Sequence, residues 1–316
     1  MATLCETPAK PRLLPEVQSR AASHVGGLRA AELITLGFLA YAMVATLWFP
    51  VGPRQRLEVV GLNLVAASAV VLAAKRARSS LVSSLRDALP TVLILLAYRE
   101  SGLFLSPDPT HYLDHMFVAW DAWLLRGHVW LPLWVLHSPW LENYMEAAYL
   151  LCYPFVPLGF ACVSLRGPGR SLGQPDDRQQ TVDRFWTAVL SALFFSYVLY
   201  PYFPLIPPHQ LFHDEPFGAS GWLRHFNLWV LSHYGVGVSI FPSGHVAGVT
   251  ATALAVQSIR PRLGTYFIVA ALSITFATVY LRYHYTADAL AGLLAGVIAF
   301  VVSRKICNPC PGRSEL

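Results

Sequence analysis

Two histidines of this chain, His245 and His284, stand in short motifs whose residue types and spacing could carry acid–base and nucleophilic chemistry. His245 ends the run Phe-Pro-Ser-Gly-His at 241–245, at the head of an apolar segment. Proline is favoured in the first turn of a helix, so the amides of Ser243, Gly244 and His245 should point outward from a helix start. A helix start binds anions, aided by the helix dipole. The motif therefore predicts a site for a group such as phosphate, with Gly244 leaving room for its close approach.

His284 precedes Asp288 by four residues, which places the two side chains on one face of a helix. A carboxylate in that position can accept the Nδ1–H of the imidazole, fix its tautomer and leave Nε2 free to attack an electrophile. Ionisable side chains at the ends of apolar spans are costly and usually functional. The pair predicts a nucleophilic histidine oriented by an aspartate, although either histidine taken alone could be a hydrated cap at a membrane surface.

The chain between the two histidines predicts how they are positioned. His284 follows His245 by 39 residues, which comprise an apolar segment, a short basic turn at 260–262 and a second apolar segment. An α-helix rises 1.5 Å per residue, so a segment of about 18 residues covers about 27 Å, and the second segment returns the chain to the face that it left. We therefore expect both imidazoles at one depth.

The composition is that of a membrane protein. Hydrophobic types make up 55% of the 316 residues, charged types only 13%, and the mean hydropathy is +0.46. Soluble domains carry about a quarter charged residues, and disordered chains combine low hydrophobicity with high charge. Both classes are excluded. For a membrane protein, the net charge of +5 raises the question of which side of the membrane the basic residues occupy. We expect no nucleic-acid partner.

Apolar length predicts an all-α, polytopic transmembrane helix bundle of about eight spans. A spanning helix needs about 20 mostly apolar residues. Acidic and basic residues in or beside the third and fourth candidates, such as Arg99, Glu100 and Glu146, make these two the least regular. The candidate spans are 30–49, 57–74, 85–105, 142–165, 184–204, 243–260, 264–281 and 286–303.

The distribution of basic residues predicts the orientation. With eight spans, 17 of the 23 Lys and Arg residues lie on the side of the termini, which the positive-inside rule assigns to the cytoplasm. Ten of the eleven histidines fall on the opposite side, where the loops are longer. We therefore expect both termini in the cytoplasm. The site would lie on the opposite face of the membrane, which is the periplasmic or other extracytoplasmic face, or the lumenal face of an organelle.

The same pattern predicts four regions. Residues 1–28 contain no apolar stretch, so they are interpreted as a disordered N-terminal arm without a cleavable signal peptide. Residues 29–105 would form accessory transmembrane helices, residues 106–303 a catalytic membrane domain, and residues 304–316 a cytoplasmic tail.

The two histidine motifs resemble those of the type 2 phosphatidic acid phosphatase superfamily, over roughly residues 110–303. Within it, the chain is most similar to the branch of the inositol phosphorylceramide synthases, the inositolphosphotransferases. The similarity to this branch extends to Asp121–Gly127, Pro132, Tyr200-Pro201, Phe203-Pro204, Pro207-Pro208 and the run from Val279 to Tyr285.

The resemblance implies a role for each motif residue. His284 would attack phosphorus and form a phosphohistidine, Asp288 would orient and polarise it, and His245 would protonate the leaving oxygen. Ser243 and Gly244 would hold phosphate oxygens. Phosphoryl transfer depends mainly on positioning and charge stabilisation, which agrees with this assignment.

The chain also departs from the superfamily pattern. The first superfamily motif, a Lys and an Arg seven apart followed by Pro, is absent from the outer loops, and Thr278 stands where the third motif opens with Arg. A cation must still offset the charge of a phosphate in a partly dry site. Our candidates, in falling order, are Arg282, Arg224, Arg99 and His209. Arg99 could instead pair structurally with Glu100, and Arg282 could extend to the interface.

We expect neither a metal nor a cofactor. The segment His209-x-x-x-His213-Asp214 has metal-ligand spacing but lies in a proline-flanked loop. Cys307 and Cys310 form a single C-x-x-C without a second pair, so incidental or lipidated cysteines are the simpler interpretation.

The leading hypothesis is a membrane-embedded lipid phosphatase or phosphotransferase. Its partners would be membrane lipids: a phospholipid donor in the outer leaflet, with water, ceramide or diacylglycerol as acceptor. A transporter or channel with a His-lined path is the alternative, but we see no inverted repeat. A third interpretation is an intramembrane serine protease using Ser243. Nothing in the sequence fixes the oligomeric state.

Overall fold

The computed structural model describes residues 27–76, 79–105, 108, 113–125, 138–165, 175–211 and 221–307. Nearly all of the predicted N-terminal arm, and the tail from residue 308, lie outside these ranges. The described part is almost entirely helical, as predicted. Its helices are α1 (Ala30–Ala45), α2 (Pro53–Arg76), α3 (Ser80–Leu103), α4 (Asp114–Leu125), α5 (Pro139–Leu150), α6 (Cys152–Ser164), α7 (Pro175–Leu199), α8 (Pro208–Leu211), α9 (Trp222–Tyr234), α10 (Gly244–Ile259), α11 (Pro261–Tyr280) and α12 (Thr286–Cys307).

Five of these helices, α2, α3, α7, α11 and α12, are long and apolar enough to cross a membrane. Helices α5 and α6 together pass the same test but meet at a bend of 55°, so they form either a broken span or a re-entrant loop. Helices α1 and α10 have 16 residues each, which is about 24 Å and shorter than the hydrocarbon core of a bilayer. The count of about eight spans and the cytoplasmic termini therefore remain predictions.

At the centre of the bundle, α10 packs against α7, α11 and α12, and α12 also packs against α7. Two glycines of α12 allow its close approach to α10. A Cβ atom at Gly292 would lie 2.5 Å from the carbonyl oxygen of Ser243, and one at Gly296 would lie 2.7 Å from that of Ala247. Small residues permit such backbone contact between membrane helices. The contact fixes α12 against the first turn of α10, where His245 lies.

Helices α1 to α3 pack against one another, α1 and α3 also pack against α7, and buried ion pairs join the ends of α1 and α3. Arg29 binds Asp87 at 2.6 Å, and Arg86 binds Glu32 at 2.5 Å. Asp183, on α7, accepts hydrogen bonds from the first amides of α1. This cluster lies near the start of α7, at the opposite end of that helix from the two histidines.

A two-stranded antiparallel ribbon joins the end of α7 to the start of α10. Strand β1 (Pro204–Leu205) pairs with β2 (Ser239–Ile240), with Pro204 opposite Ile240. A 3₁₀ turn at Tyr200–Tyr202 precedes it. The ribbon holds the Pro-Ser-Gly-His segment next to the C-terminal end of α7.

Candidate active site

The two motif histidines lie side by side, as the hairpin argument predicts. His245 occupies the first turn of α10, and His284 lies in the short connection between α11 and α12. His245 Nδ1 and His284 Nε2 are 3.4 Å apart, and the ring centroids are 5.6 Å apart. A single phosphorus centre could therefore be reached by both rings.

Asp288 orients the ring of His284. Its Oδ2 lies 2.5 Å from His284 Nδ1, and the carboxylate is fully buried in the first turn of α12. A hydrogen bond from Nδ1–H to this carboxylate places the free lone pair on Nε2, the nitrogen that faces His245. The pair thus has the geometry of an activated nucleophile and its orienting group.

The backbone of His284 is set by the end of α11. Arg282 has a φ of +60°, and the following amides, of Tyr283 and His284, both donate to the carbonyl of Thr278 at 2.9 and 3.0 Å. A left-handed residue that closes a helix in this way is a common C-terminal cap. Thr278 and Arg282 therefore help to aim His284 through their backbone.

Ser243 and Gly244 have structural roles in the described geometry. The Ser243 hydroxyl accepts from the amide of Val246 at 3.4 Å and caps α10, and its own amide donates to the carbonyl of Asp288 at 3.3 Å. A Cβ atom at Gly244 would lie 2.2 Å from the hydroxyl of Tyr200. Because Ser243 is fully buried as a helix cap, the structure lends no support to a serine nucleophile. Phosphate binding by Ser243 and Gly244 remains a prediction.

A cavity of about 270 Å³ opens beside the histidine pair. His245, His284 and His209 contribute imidazoles to its lining, and Tyr98, Tyr149, Tyr200 and Tyr283 contribute aromatic rings. Its remaining wall includes the apolar side chains Leu228, Leu231, Val236 and Val238. The cavity thus combines a polar end at the histidines with an apolar side.

Comparison with known proteins places this site in a family. The PAP2 superfamily matches residues 115–302, which include both histidine motifs. The chain belongs to the PAP2 superfamily. A PA-phosphatase related-family protein from Dictyostelium discoideum is 32% identical over 124 residues, which cover 36% of this chain and 22% of the relative. The chain thus spans about a fifth of the length of that curated relative, and no solved structure matches it. With its five long apolar helices, this PAP2 protein is an integral membrane protein.

In this PAP2 protein, the predicted cationic partners of the phosphate lie beside the cavity rather than in its wall. None of Arg282, Arg224 and Arg99 is among the described residues that line it. Arg224 Nη1 binds the carboxylate of Glu146 at 3.2 Å. The backbone carbonyl of Arg282 accepts from the amide of His209 at 2.8 Å. Their proposed contact with phosphate therefore remains a prediction.

The third candidate, Arg99, does not pair with its sequence neighbour. Its guanidinium donates to the carbonyl of Tyr234 at 3.3 Å, whereas the Glu100 carboxylate accepts from Asn63 at 2.8 and 2.9 Å. The suggested structural pair is therefore replaced by two separate contacts, because successive residues of a helix point in different directions.

His209, on α8, lines the cavity but is not a cation there at neutral pH. Burial, followed by the neighbouring charge of Arg224, lowers the pKa of His209 from 6.5 to about 4. It can still donate or accept a hydrogen bond toward a substrate. The proposed metal segment cannot be followed, since His213 and Asp214 lie outside the described residues. Within those residues no cluster of three potential metal ligands occurs.

Asp121 is a site residue that motif reasoning missed, although it begins one of the stretches on which the predicted resemblance to the synthase branch rests. Its carboxylate, on α4, accepts from the amide of Thr286 at 2.9 and 3.0 Å and from that of Ala287 at 3.3 Å. These are the first amides of α12, so Asp121 caps the helix that carries Asp288. Burial raises the pKa of Asp121, and the bound amides oppose the shift.

Glu146 is a second missed residue, which from sequence only made its span irregular. The buried carboxylate accepts from Asn227 Nδ2 at 2.7 Å and from the Tyr283 hydroxyl at 2.8 Å, besides binding Arg224. Tyr283 stacks on Tyr149 with a centroid distance of 4.1 Å. Glu146 thereby fixes the aromatic wall next to His245.

Proposed function

We propose that this PAP2 protein is a lipid phosphatase or phosphotransferase that works through a phosphohistidine. The observation that carries the proposal is the chain of contacts from Asp288 to His284 to His245, with both rings open to one cavity. Nε2 of His284 would form a bond to phosphorus while the bond from phosphorus to the leaving oxygen breaks. His245 would donate a proton to that oxygen. Water or a lipid alcohol would then attack the phosphohistidine and pass its proton to His245.

The charges around the cavity support a phosphodiester as the donor, as in the inositolphosphotransferase-like branch. Within the described residues no Lys or Arg lines the cavity, Arg224 is paired with Glu146, and His209 is neutral. A partly desolvated site whose one positive charge is the proton that His245 would donate accepts one negative charge at lower cost than two. A phosphodiester carries one negative charge, whereas a phosphomonoester carries close to two at neutral pH.

The apolar side of the cavity supports a lipid alcohol, such as ceramide or diacylglycerol, as the acceptor, with water as the competing acceptor. The distribution of basic residues supports a site on the extracytoplasmic or lumenal face. A volume of about 270 Å³ lies just below the usual range for small-molecule pockets, so the headgroup would enter and the acyl chains would remain in the bilayer.

The proposal is tested with purified protein in nanodiscs, given phosphatidic acid or phosphatidylinositol with and without ceramide or diacylglycerol. Mass spectrometry of the products separates hydrolysis from transfer. We expect His284→Ala and His245→Ala to lose turnover while retaining the melting temperature of the wild type. Phosphoenzyme that forms undiminished in His284→Ala would disprove the assigned nucleophile.

A further inference from the structure

The side of α9 that faces away from the protein is aromatic. Trp222, Phe226 and Trp229 follow one another at helical spacing and are 73%, 41% and 47% exposed. The ring of His233, one turn further on, lies 4.7 Å from that of Trp229. We call Trp222, Phe226, Trp229 and His233 the aromatic stripe of α9. The only Lys, Arg, Asp or Glu in this helix is Arg224, and it lies on the other side.

The opposite side of α9 is attached to the active site. Arg224 and Asn227 both bind the buried carboxylate of Glu146, while Leu228 and Leu231 line the cavity. In a water-soluble enzyme the apolar side of such a helix faces the protein and the charged side faces water. Here the polar anchors point inward and the large aromatic rings point outward.

A second exposed aromatic pair lies on α5, which packs against α9. Trp140 and Tyr144, which are 74% and 44% exposed, stack with a centroid distance of 5.9 Å. Asn143 lies between them in sequence, and a Cβ atom at Gly221, the residue before α9, would be 3.0 Å from its Oδ1. The Tyr144 hydroxyl also lies 2.9 Å from that of Ser273 on α11, one of the candidate spans. The exposed aromatic rings of α5 and α9 therefore lie beside a candidate membrane-spanning helix.

Trp, Tyr and Phe side chains gathered at the end of membrane spans are typical of the boundary between headgroups and acyl chains. A helix that presents such rings along one side lies in the plane of that boundary. We propose that the aromatic stripe of α9 is embedded in the lipid leaflet on the side of the histidine pair. The stripe thereby fixes the depth of the cavity, and lipid headgroups enter it from the leaflet beside α9 rather than from water.

The location of the stripe can be measured without any enzyme assay, by fluorescence of the full-length protein in nanodiscs. The emission of Trp229 is obtained by subtracting the spectrum of Trp229→Phe from that of the wild type. The spectrum of Trp222→Phe gives the emission of Trp222 in the same way. We expect this emission to be quenched by phosphatidylcholine brominated near the headgroup end of its chains. Bromine near the bilayer centre and aqueous iodide should quench it less.

Trp186, which is buried and donates to the carbonyl of Asp87, serves as the reference through Trp186→Phe. Its emission should respond weakly to every quencher. Quenching of Trp229 by iodide but not by brominated lipid would show that the stripe faces water and would overturn the proposal. Quenching by neither would show that protein covers the stripe, and would overturn it equally.

The entry route rests on the proposed function and has its own test. Phe226→Ser/Trp229→Ser should raise the apparent KM for a bilayer phospholipid several-fold, while kcat/KM for a short-chain, water-soluble analogue stays the same. Phe226→Tyr/Trp229→Tyr should keep the wild-type KM for the bilayer phospholipid, because tyrosine also suits the interface. An equal loss on both substrates would refute the entry route. Wild-type protein inactive on every lipid would refute the proposed function and leave the quenching result standing.

Discussion

The imidazole of His209 lines the cavity beside the histidine pair. Burial and the charge of Arg224 lower its pKa to about 4. In the unfolded chain the pKa returns to about 6.5. The unfolded state therefore binds more protons than the native state between these two values, and stability rises with pH in this window.

We expect the melting temperature of the wild type to fall as the pH is lowered from 6.5 toward 4, partly through His209. His209→Gln keeps a hydrogen-bonding side chain but cannot titrate, so its melting temperature should fall less over the same range. Thermal denaturation at matched pH values measures the difference. His225→Gln, which changes an exposed histidine, is the control, and identical pH slopes for wild type and His209→Gln would contradict the expectation.

Among the elements, the start of α12 matters most because it carries Asp288 and follows His284 directly. Its first amides are bound by Asp121 of α4 rather than by a residue of its own connection. Its second and third turns are held against α10 by the glycine contacts of Gly292 and Gly296. The orientation of the nucleophile is therefore maintained from two sides, by a cap and by close packing.

Loss of the cap should weaken both stability and catalysis. Asp121→Ala removes the acceptor of two helix amides, and we expect a loss of about 1–2 kcal/mol in unfolding free energy with a lower kcat. Asp121→Asn retains one acceptor oxygen and should recover part of both. Asp114→Ala, on the same helix, serves as the control. A wild-type kcat in Asp121→Ala would show that the cap does not position the site.

The glycine contact gives a second expectation at this scale. In Gly292→Ala the new methyl group would meet the backbone oxygen of Ser243, so α12 must shift away from α10 at a cost of about 1–3 kcal/mol. Because the shift separates His284 from His245, kcat should fall by more than the loss of folded protein accounts for. Gly61→Ala on α2, where no atom lies within 4 Å, should leave kcat unchanged and should not lower stability, because alanine favours a helix interior over glycine. Full activity in Gly292→Ala would argue against this role of the contact.

At the scale of the whole molecule, the site and the buried ion cluster lie at opposite ends of α7. The cluster joins α1 and α3 to α7 through side chains with little exposure, such as Arg29 and Asp87. Removing one partner of a buried pair leaves an uncompensated charge, which is strongly destabilising. The site, in contrast, lies beyond the other end of α7, among α4, α5 and α8 to α12, with Tyr98 of α3 and Tyr200 in the wall of its cavity.

The two ends should therefore respond independently. We expect Asp87→Ala to lower the unfolding free energy by about 3–5 kcal/mol while kcat per folded molecule stays at the wild-type value. Glu58→Ala, which breaks the exposed pair with Arg54, should cost less than about 1 kcal/mol. Denaturation and active-site titration measure the two quantities separately. A large fall in kcat for Asp87→Ala would show that the ion cluster communicates with the histidines.

The sequence alone was sufficient for the membrane class, the helical fold and the meeting of His245, His284 and Asp288. These features depend on local quantities: the length of the apolar segments, the short separation of His284 from Asp288 along the chain, and a hairpin of two helices with similar length. The number of spans is less well determined, because α1 and α10 are short and α5 and α6 are bent against each other.

Only the tertiary structure decided which groups surround the histidines. Asp121 binds an amide 165 residues away, and Glu146 binds the hydroxyl of a tyrosine 137 residues away, distances along the chain over which no periodicity predicts a contact. Packing also pairs Arg224 with Glu146 and turns the rings of α9 outward. Motif residues a few positions apart are kept close by the short chain between them, whereas charge neutralisation and exposure depend on how the helices pack. His284 lies just before the first turn of α12, so its alignment with Asp288 also depends on the connection from α11.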